Sequence, residues 1–504
     1  MVTGITPLRA APTTPAAPPV EPSDEALVDA RVTGSDRLAR NMVLGSLVAM
    51  VVIRLFTEVV AVLPRFFNFV DVPIVAGLAV YSAIAPPTPR SRSLMRPAYG
   101  GYLIALIALW GLSLVTNVNR VSPMPALLFL YLVVSPVVVY MVVYRIWPVG
   151  QGLSLSKTFV RLAIAQFVVV VVIDLPRFIA GDQNPDLISG TFGENAYQLV
   201  FFLLTFGALL AGIVTFEPRR IAARLALPLA GGTLLVIFLA QYRALLASTF
   251  IAIFVLGMLL ARSRGRGMFV AAGTALAVFF IFTMVLSRFP LLRFDRAINA
   301  IREEPGALVS GKLTAAQRVG DMFRDEPRMV LTGSGPATYS SRAWRTFGLT
   351  GIVGGHADVA GAYVEALTGE SYRTDVNLKY VMPQLTGSSI FGSEGLASPF
   401  GSYVAILAEL GLGGLVLLFA IYFGPFLRSA RMAVFSMERA RPGDPLPALL
   451  LASVISFLTL LQMGVLDNWL ETTRVTFTSW ILFAVAHKEF RARLRPSPQT
   501  AHRD

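Results

Sequence analysis

The stretch MPALLFLYLVVSPVVVYMVVYRIW, residues 124–147, is apolar along nearly its whole length and carries one charged side chain, Arg145. A helix of about 20 such residues crosses the roughly 30 Å hydrocarbon core of a bilayer. Comparable runs recur to either side. Spans are expected at residues 41–63, 66–85, 98–115, 124–147, 159–180, 195–216, 221–240, 243–261, 267–287, 400–427, 447–466 and 469–487. The expected fold class is therefore all-α and integral to a membrane, with about twelve transmembrane helices.

Composition points the same way. Of the 504 residues, 55% are hydrophobic and 14% charged, whereas a soluble domain is about a quarter charged. The absence of cysteine excludes disulfides, iron–sulfur clusters and thiolate metal sites. Three histidines, His356, His487 and His502, leave little for an imidazole metal site. No metal and no cofactor is expected. The net charge of +13 is read as arginine on cytoplasmic loops, not as a nucleic-acid footprint.

The order of charges sets the expected topology. With a cytoplasmic N-terminus, the inner loops carry Arg90, Arg92 and Arg96; Arg219, Arg220 and Arg224; Arg262, Arg264 and Arg266; and Arg428, Arg431, Arg439 and Arg441. The outer loops are poor in Lys and Arg, as positive-inside placement requires. Residues 1–40, rich in Ala, Pro and Thr, are expected to be a disordered cytoplasmic tail without a cleavable signal, so the first span would serve as the insertion signal. Residues 41–287 hold helices 1–9. Residues 288–399 are too long for a passive connection and are expected to form an external loop subdomain between helices 9 and 10, helical at 295–304 and 315–325. Residues 400–487 hold helices 10–12, and 488–504 form a basic cytoplasmic tail.

Several groups could carry chemistry. Arg243 sits in a short expected outer turn, where an arginine costs desolvation. Its guanidinium either grips phosphate oxygens in a bidentate way or snorkels to headgroups. In QRVGDMFRDEPR (317–328), Arg318 is the better anion candidate, because Arg324 has acidic neighbours; Arg328 closes the run. The turn GSGP (333–336), followed by Tyr339, is either a plain turn or a backbone that aims N–H groups at an anion. Arg54 with Glu58, and Asp174 with Arg177, have helical spacing for intrahelical pairs. Such pairs are functional by default at membrane depth, or else fix packing. His356, in GIVGGHAD (351–358), is the only histidine expected outside; it is a loop histidine or an imidazole base. Glu194, Asp358 and Glu365 are the carboxylate alternatives. Glu409 lies in an apolar run beside glycines and is expected to brace the site.

Taken in order, PRFFNFVD (64–71), SGTFGEN (189–195), YRALL (242–246), GSGP (333–336) and YVAILAELGLGG (403–414) resemble the O-antigen ligase and O-antigen polymerase superfamily. The resemblance runs from the first span to the last, and its specificity lies in the ordered set. It implies a polytopic C-type glycosyltransferase in the bacterial plasma membrane, acting without metal at the extracytoplasmic face. The donor would be a saccharide on undecaprenyl pyrophosphate, and a chain-length regulator and a flippase would be partners beside the membrane lipids. Arg243 matches the family's membrane-edge arginine, and Arg318 an arginine upstream of the Gly-x-Gly-Pro turn. With His356 these are the catalytic candidates. The candidates for substrate binding are Arg65, Arg177, Glu194, Asn195, Arg328, Gly333, Gly335, Pro336, Tyr339, Tyr403 and Glu409.

Two departures favour a polymerase over a ligase. Ligases commonly place a histidine where this chain has Phe400-Gly401, and an arginine where it has Leu187-Ile188-Ser189. The expected function is polymerisation of lipid-linked oligosaccharide repeats for an O-antigen, capsule or exopolysaccharide. The alternatives are a ligase that moves glycan to another acceptor, and, from another class, a transporter or flippase.

Overall fold

A computed structural model describes residues 34–85, 99–180, 187–193, 195–216, 223–240, 243–264, 307–348, 374–383, 401–441 and 443–494. Among these the protein is a helical assembly without strands. In chain order the helices include α1 (Gly34–Arg54), α2 (Asp71–Ile84), α3 (Gly100–Thr116), α4 (Pro123–Ile146), α5 (Gly152–Val169), α6 (Ala196–Phe216), α7 (Ala223–Leu239), α8 (Arg243–Arg264), α9 (Ala307–Asp325), α10 (Arg342–Gly348), α11 (Asp375–Tyr380), α12 (Ser402–Glu438), α13 (Leu446–Leu466) and α14 (Thr473–Arg493), with short helical pieces at Leu175–Ala180 and Met329–Thr332.

Among the described residues, seven segments are long and apolar enough to cross a membrane: Gly34–Val59, Phe67–Ile84, Pro123–Ile146, Gly152–Ala180, Ala196–Phe216, Ser402–Glu438 and Leu446–Val465. Gly100–Thr116, Pro228–Leu239 and Ser248–Leu260 are shorter apolar helices. A helix satisfies its own backbone, which is the condition for crossing hydrocarbon. Large apolar side chains also stand on the outward faces. Ile84, Ile104 and Val115 stand 77%, 70% and 73% exposed, a surface suited to lipid and not to water. The protein is a multi-pass membrane protein.

The central helix is α13, which packs against α12, α6, α8 and α14. Its buried face includes Leu449, Leu450, Ala452, Phe457 and Leu460. Gly212 of α6 lets the two backbones close up: a Cβ there would lie 2.5 Å from the Cα of Ala448. Beside α13, an aromatic cluster of Tyr99, Tyr140, Tyr422, Phe457, Trp480 and Phe483 joins α4, α12 and α14.

Several boundaries differ from expectation. Helix α1 begins at Gly34, so residues 34–40 are not tail; Ala39 is buried on the stripe that continues through Val43 and Leu47, and Arg40 donates to Gln151. Helix α5 likewise starts at Gly152 and not 159. Both α1 and α5 pass into π-helical turns, Leu55–Val59 and Val170–Asp174. The segment expected as one span from 400 is broken at Gly411, with φ 71° and ψ −170°. Of the expected subdomain helices, 315–325 lies within α9, while 295–304 and the span at 267–287 fall outside the described residues.

The two ends of the bundle have separate polar networks. At one end Glu489 accepts from the Gly150 and Gln151 N–H groups and Arg493 pairs with Asp444. At the other end meet the α1–α2, α3–α4 and α13–α14 connections together with α9–α11, and there the candidate residues gather.

Candidate functional site

The site is built around the break in α12. A helix that stops at residue 410 leaves carbonyl groups without partners inside an apolar bundle. The segment 330–335 crosses at that point and satisfies them. Ser334 N–H donates to the Ala408 carbonyl at 2.8 Å and Gly335 N–H to the Glu409 carbonyl at 3.3 Å. Ser113 of α3 adds a second donor to the Glu409 carbonyl at 2.9 Å, and the Asn117 amide donates to the Gly333 carbonyl at 3.2 Å. The crossing demands glycine on both sides. A Cβ on Gly333 would lie 2.2 Å from the Glu409 carbonyl, and one on Gly411 2.7 Å from that of Leu331. The GSGP turn therefore spends its Ser334 and Gly335 N–H groups on the broken helix. Of the two readings of this turn, these bonds leave the one without an anion on the Ser334 and Gly335 N–H groups.

The side chain of Glu409 continues the same construction. It is fully buried, and its carboxylate accepts the N–H groups of Ala337, Tyr339 and Ser341 at 2.7, 3.0 and 3.0 Å. The next donor, Arg342 N–H, goes to Glu471 at 2.6 Å. Two carboxylates thus hold the backbone just before α10, and α10 presents Arg342 and Arg345. Arg342 reaches Thr472 and Arg345 pairs with Asp467 at 3.1 Å. Burial pulls the Lys312 ammonium on α9 down to about 8 against the pull of Asp467, with the Arg345 cation adding to the shift.

A second half of the site lies between α1 and α5. The 189–193 turn is held by Asp174, which accepts from Ser189 and Gly190 N–H at 2.9 and 2.6 Å, and by Gln166, which accepts from Thr191 N–H at 2.8 Å. Asp174 is thereby spent on the turn and does not make the expected pair with Arg177, which donates to the Val59 carbonyl at 3.2 Å. Arg54 and Glu58 do pair, at 3.4 Å. Glu58 also accepts from Asn68 at 2.8 Å, and the Asn68 carbonyl accepts from Arg474 of α14 at 2.9 Å. The last bond ties the two halves together.

The expected residues distribute as follows. Gly333, Gly335, Pro336, Tyr339 and Glu409 form one unit, with the Tyr339 hydroxyl donating to the Ala315 carbonyl. Asn195 closes the 189–193 turn through the Phe192 carbonyl. Tyr403 donates to the Leu461 carbonyl, a contact that locks α12 to α13. Arg328 pairs with Glu326 and is 63% exposed. Arg318 is half-buried on α9 without an ion pair to any described residue. Arg243 is the first residue of α8; the Ser248 hydroxyl contacts the Met463 sulfur at 3.6 Å, so α8 starts at the site end. The side chains of Arg243 and Arg65, and residues Glu194 and His356, lie outside the described residues.

Sequence reading missed Arg342, Arg345, Lys312, Asn68 and Arg474. The signal for the first two was present: arginines at i, i+3 spacing directly after the glycine turn. Arg474 stands beside Glu471 at an expected outer edge, where a cation is out of place. Among the described residues no group of three or more histidines or carboxylates could hold a metal ion. No protein-family model matches this chain. No curated protein matches it either.

Proposed function

We propose that the protein is a glycosyltransferase that polymerises undecaprenyl-pyrophosphate-linked oligosaccharide repeats for a bacterial surface polysaccharide. It would sit in the plasma membrane with twelve spans and both termini cytoplasmic, and act at the outer face. One observation carries the reading. Four of the segments that resemble the O-antigen superfamily, at 64–71, 189–193, 333–336 and 403–414, lie at one end of the bundle and are braced there by shared polar contacts. Apolar packing alone gives no reason for polar motifs from four parts of the chain to meet at one end.

In this reading the acceptor hydroxyl attacks the anomeric carbon of the donor sugar and pyrophosphate leaves. Negative charge grows on the leaving group. Arg243 and Arg318, held in a partly dry site, stabilise that charge more than water does. Arg342 and Arg345 lend further cationic character to the same end of the bundle.

The test is the size distribution of surface and lipid-linked glycans in a deletion strain carrying wild type or Arg243→Ala. A polymerase predicts that long chains vanish with the variant and that single lipid-linked repeats accumulate, while the variant still inserts. Wild-type chain lengths would sink the reading. Long chains stranded on the lipid carrier would make the protein a ligase.

A further inference from the structure

Glu58 has a setting that none of the packing around it explains. It lies in the π-helical turn Leu55–Val59 that ends α1. A π-turn in an apolar helix costs hydrogen-bond geometry and recurs at functional sites. One carboxylate oxygen, Oε1, is held: the Asn68 amide donates to it at 2.8 Å, and Arg54 Nε lies 3.4 Å away. The amide is itself fixed, because the Thr57 hydroxyl donates to Asn68 Oδ1 at 2.6 Å and so turns Nδ2 toward Glu58. The second oxygen, Oε2, has no hydrogen-bond partner among the described residues. It is not sealed in, since the side chain keeps 18% of its surface.

Gly193 makes the room for that free oxygen. Its φ is +66°, and a Cβ there would lie 1.9 Å from Glu58 Oε2. The 189–193 turn is clamped by Asp174 and Gln166, so Gly193 is held against Oε2 and fixes where that oxygen sits. A carboxylate with one oxygen oriented by a fixed amide and the other left accessible is the arrangement of a general base with its orienting group.

Resting on the polymerase reading, we propose that Glu58 is the general base that activates the acceptor sugar. Oε2 takes the proton of the acceptor hydroxyl. The freed electron pair forms the new bond to the anomeric carbon of the donor. The bond from that carbon to the pyrophosphate oxygen breaks, pyrophosphate leaves with its pair, and the proton passes from Glu58 to water. Among the described residues the charged groups near Glu58 include Arg54 on its own helix, Arg177 on the Val59 carbonyl and Arg474 on the Asn68 carbonyl.

The experiment uses the full chain in nanodiscs, with the lipid-linked repeat extracted from the deletion strain as substrate. Glu58→Gln keeps an oxygen that can accept from Asn68, so a brace survives the change and a base does not. Elongation is expected to fall about 100-fold or more, with the thermal unfolding midpoint unchanged. Glu58→Asp should retain part of the rate. The acid limb of the wild-type pH–rate profile should disappear in Glu58→Gln. If that variant fails to fold, Asn68→Ala leaves the acid in place without its orienting amide and should lower kcat with KM unchanged. Elongation within threefold of wild type in Glu58→Gln, or an unchanged kcat in Asn68→Ala, overturns the role of Glu58 and leaves the polymerase reading standing. If wild type itself does not elongate the extracted repeat, the polymerase reading fails and the base falls with it.

Discussion

Gly333 and Gly320 lie close in sequence and obey opposite rules. Gly320 is inside α9 with nothing within 4 Å of an added Cβ, so Gly320→Ala only removes backbone freedom from the unfolded chain. It should stabilise the protein by about 0.5–1 kcal/mol. Gly333 has φ +69° and its Cβ would collide with the backbone of Glu409. Gly333→Ala should cost about 2–3 kcal/mol or more, from the strained φ and from the displaced crossing. Thermal unfolding in detergent should move in opposite directions for the two variants. A common direction would mean that the crossing does not limit stability. At this scale the sequence was readable in part. Glu409 among apolar residues signals a carboxylate with a duty, because an ion cannot be buried unpaired. Its partners are backbone N–H groups, which no residue type announces. Asn68 and Thr57 look like ordinary polar residues until the chain folds them onto Glu58.

At the scale of elements, the connection between α9 and its neighbours is an ionic clamp. Arg120, in the α3–α4 connection, makes a two-pronged bond to Glu326 at 3.0 and 2.8 Å and reaches Asp375 at the start of α11. Lys379 and Tyr380 of α11 both donate to Asp325 at the end of α9. These hydrogen bonds hold the carboxyls of Glu326 and Asp325 below the usual range. A depressed carboxyl contributes stability that is complete above its unfolded pKa of about 4 and is lost as pH falls through the lower folded value. The unfolding midpoint should therefore drop as pH falls from about 5 to about 3, and Arg120→Ala should flatten the drop. These groups are partly solvated, so the pair with Arg120 is worth about 1 kcal/mol. An identical pH slope in the variant would remove the clamp from the account. Hydropathy placed most long helices to within a few residues, because twenty apolar residues have few other options. It missed the break at Gly411 and the two π-turns. A window average reads a broken apolar helix as a continuous one, and a π-turn differs from an α-turn by one residue of register.

Across the whole molecule, the polar networks sort to opposite ends, and an apolar belt lies between them. The sequence is free of cysteine, so a single introduced thiol reports one position alone. Arg324 is 83% exposed at the end of α9. Glu438 ends α12 at the far side. With an impermeant maleimide on intact cells stripped to the plasma membrane, Arg324→Cys should label from outside and Glu438→Cys only after permeabilisation. Labelling of both from one side would refute the proposed orientation. The general architecture was legible from composition. The gathering of distant motifs at one end was not, since it depends on which helices pack against α13.

The crossing at Gly411 also imposes an order on biosynthesis. The N–H groups of Ser334, Gly335, Ala337, Tyr339 and Ser341 all find their acceptors on residues 408 and 409. Those acceptors leave the ribosome well after the donors do. Until residues 408 and 409 have been made, those N–H groups lack the acceptors they have in the folded protein. The arginines of α10 thus reach their positions only when the last helices arrive, because a nascent chain halted before residue 409 lacks the Glu409, Asp467 and Glu471 carboxylates that set α10.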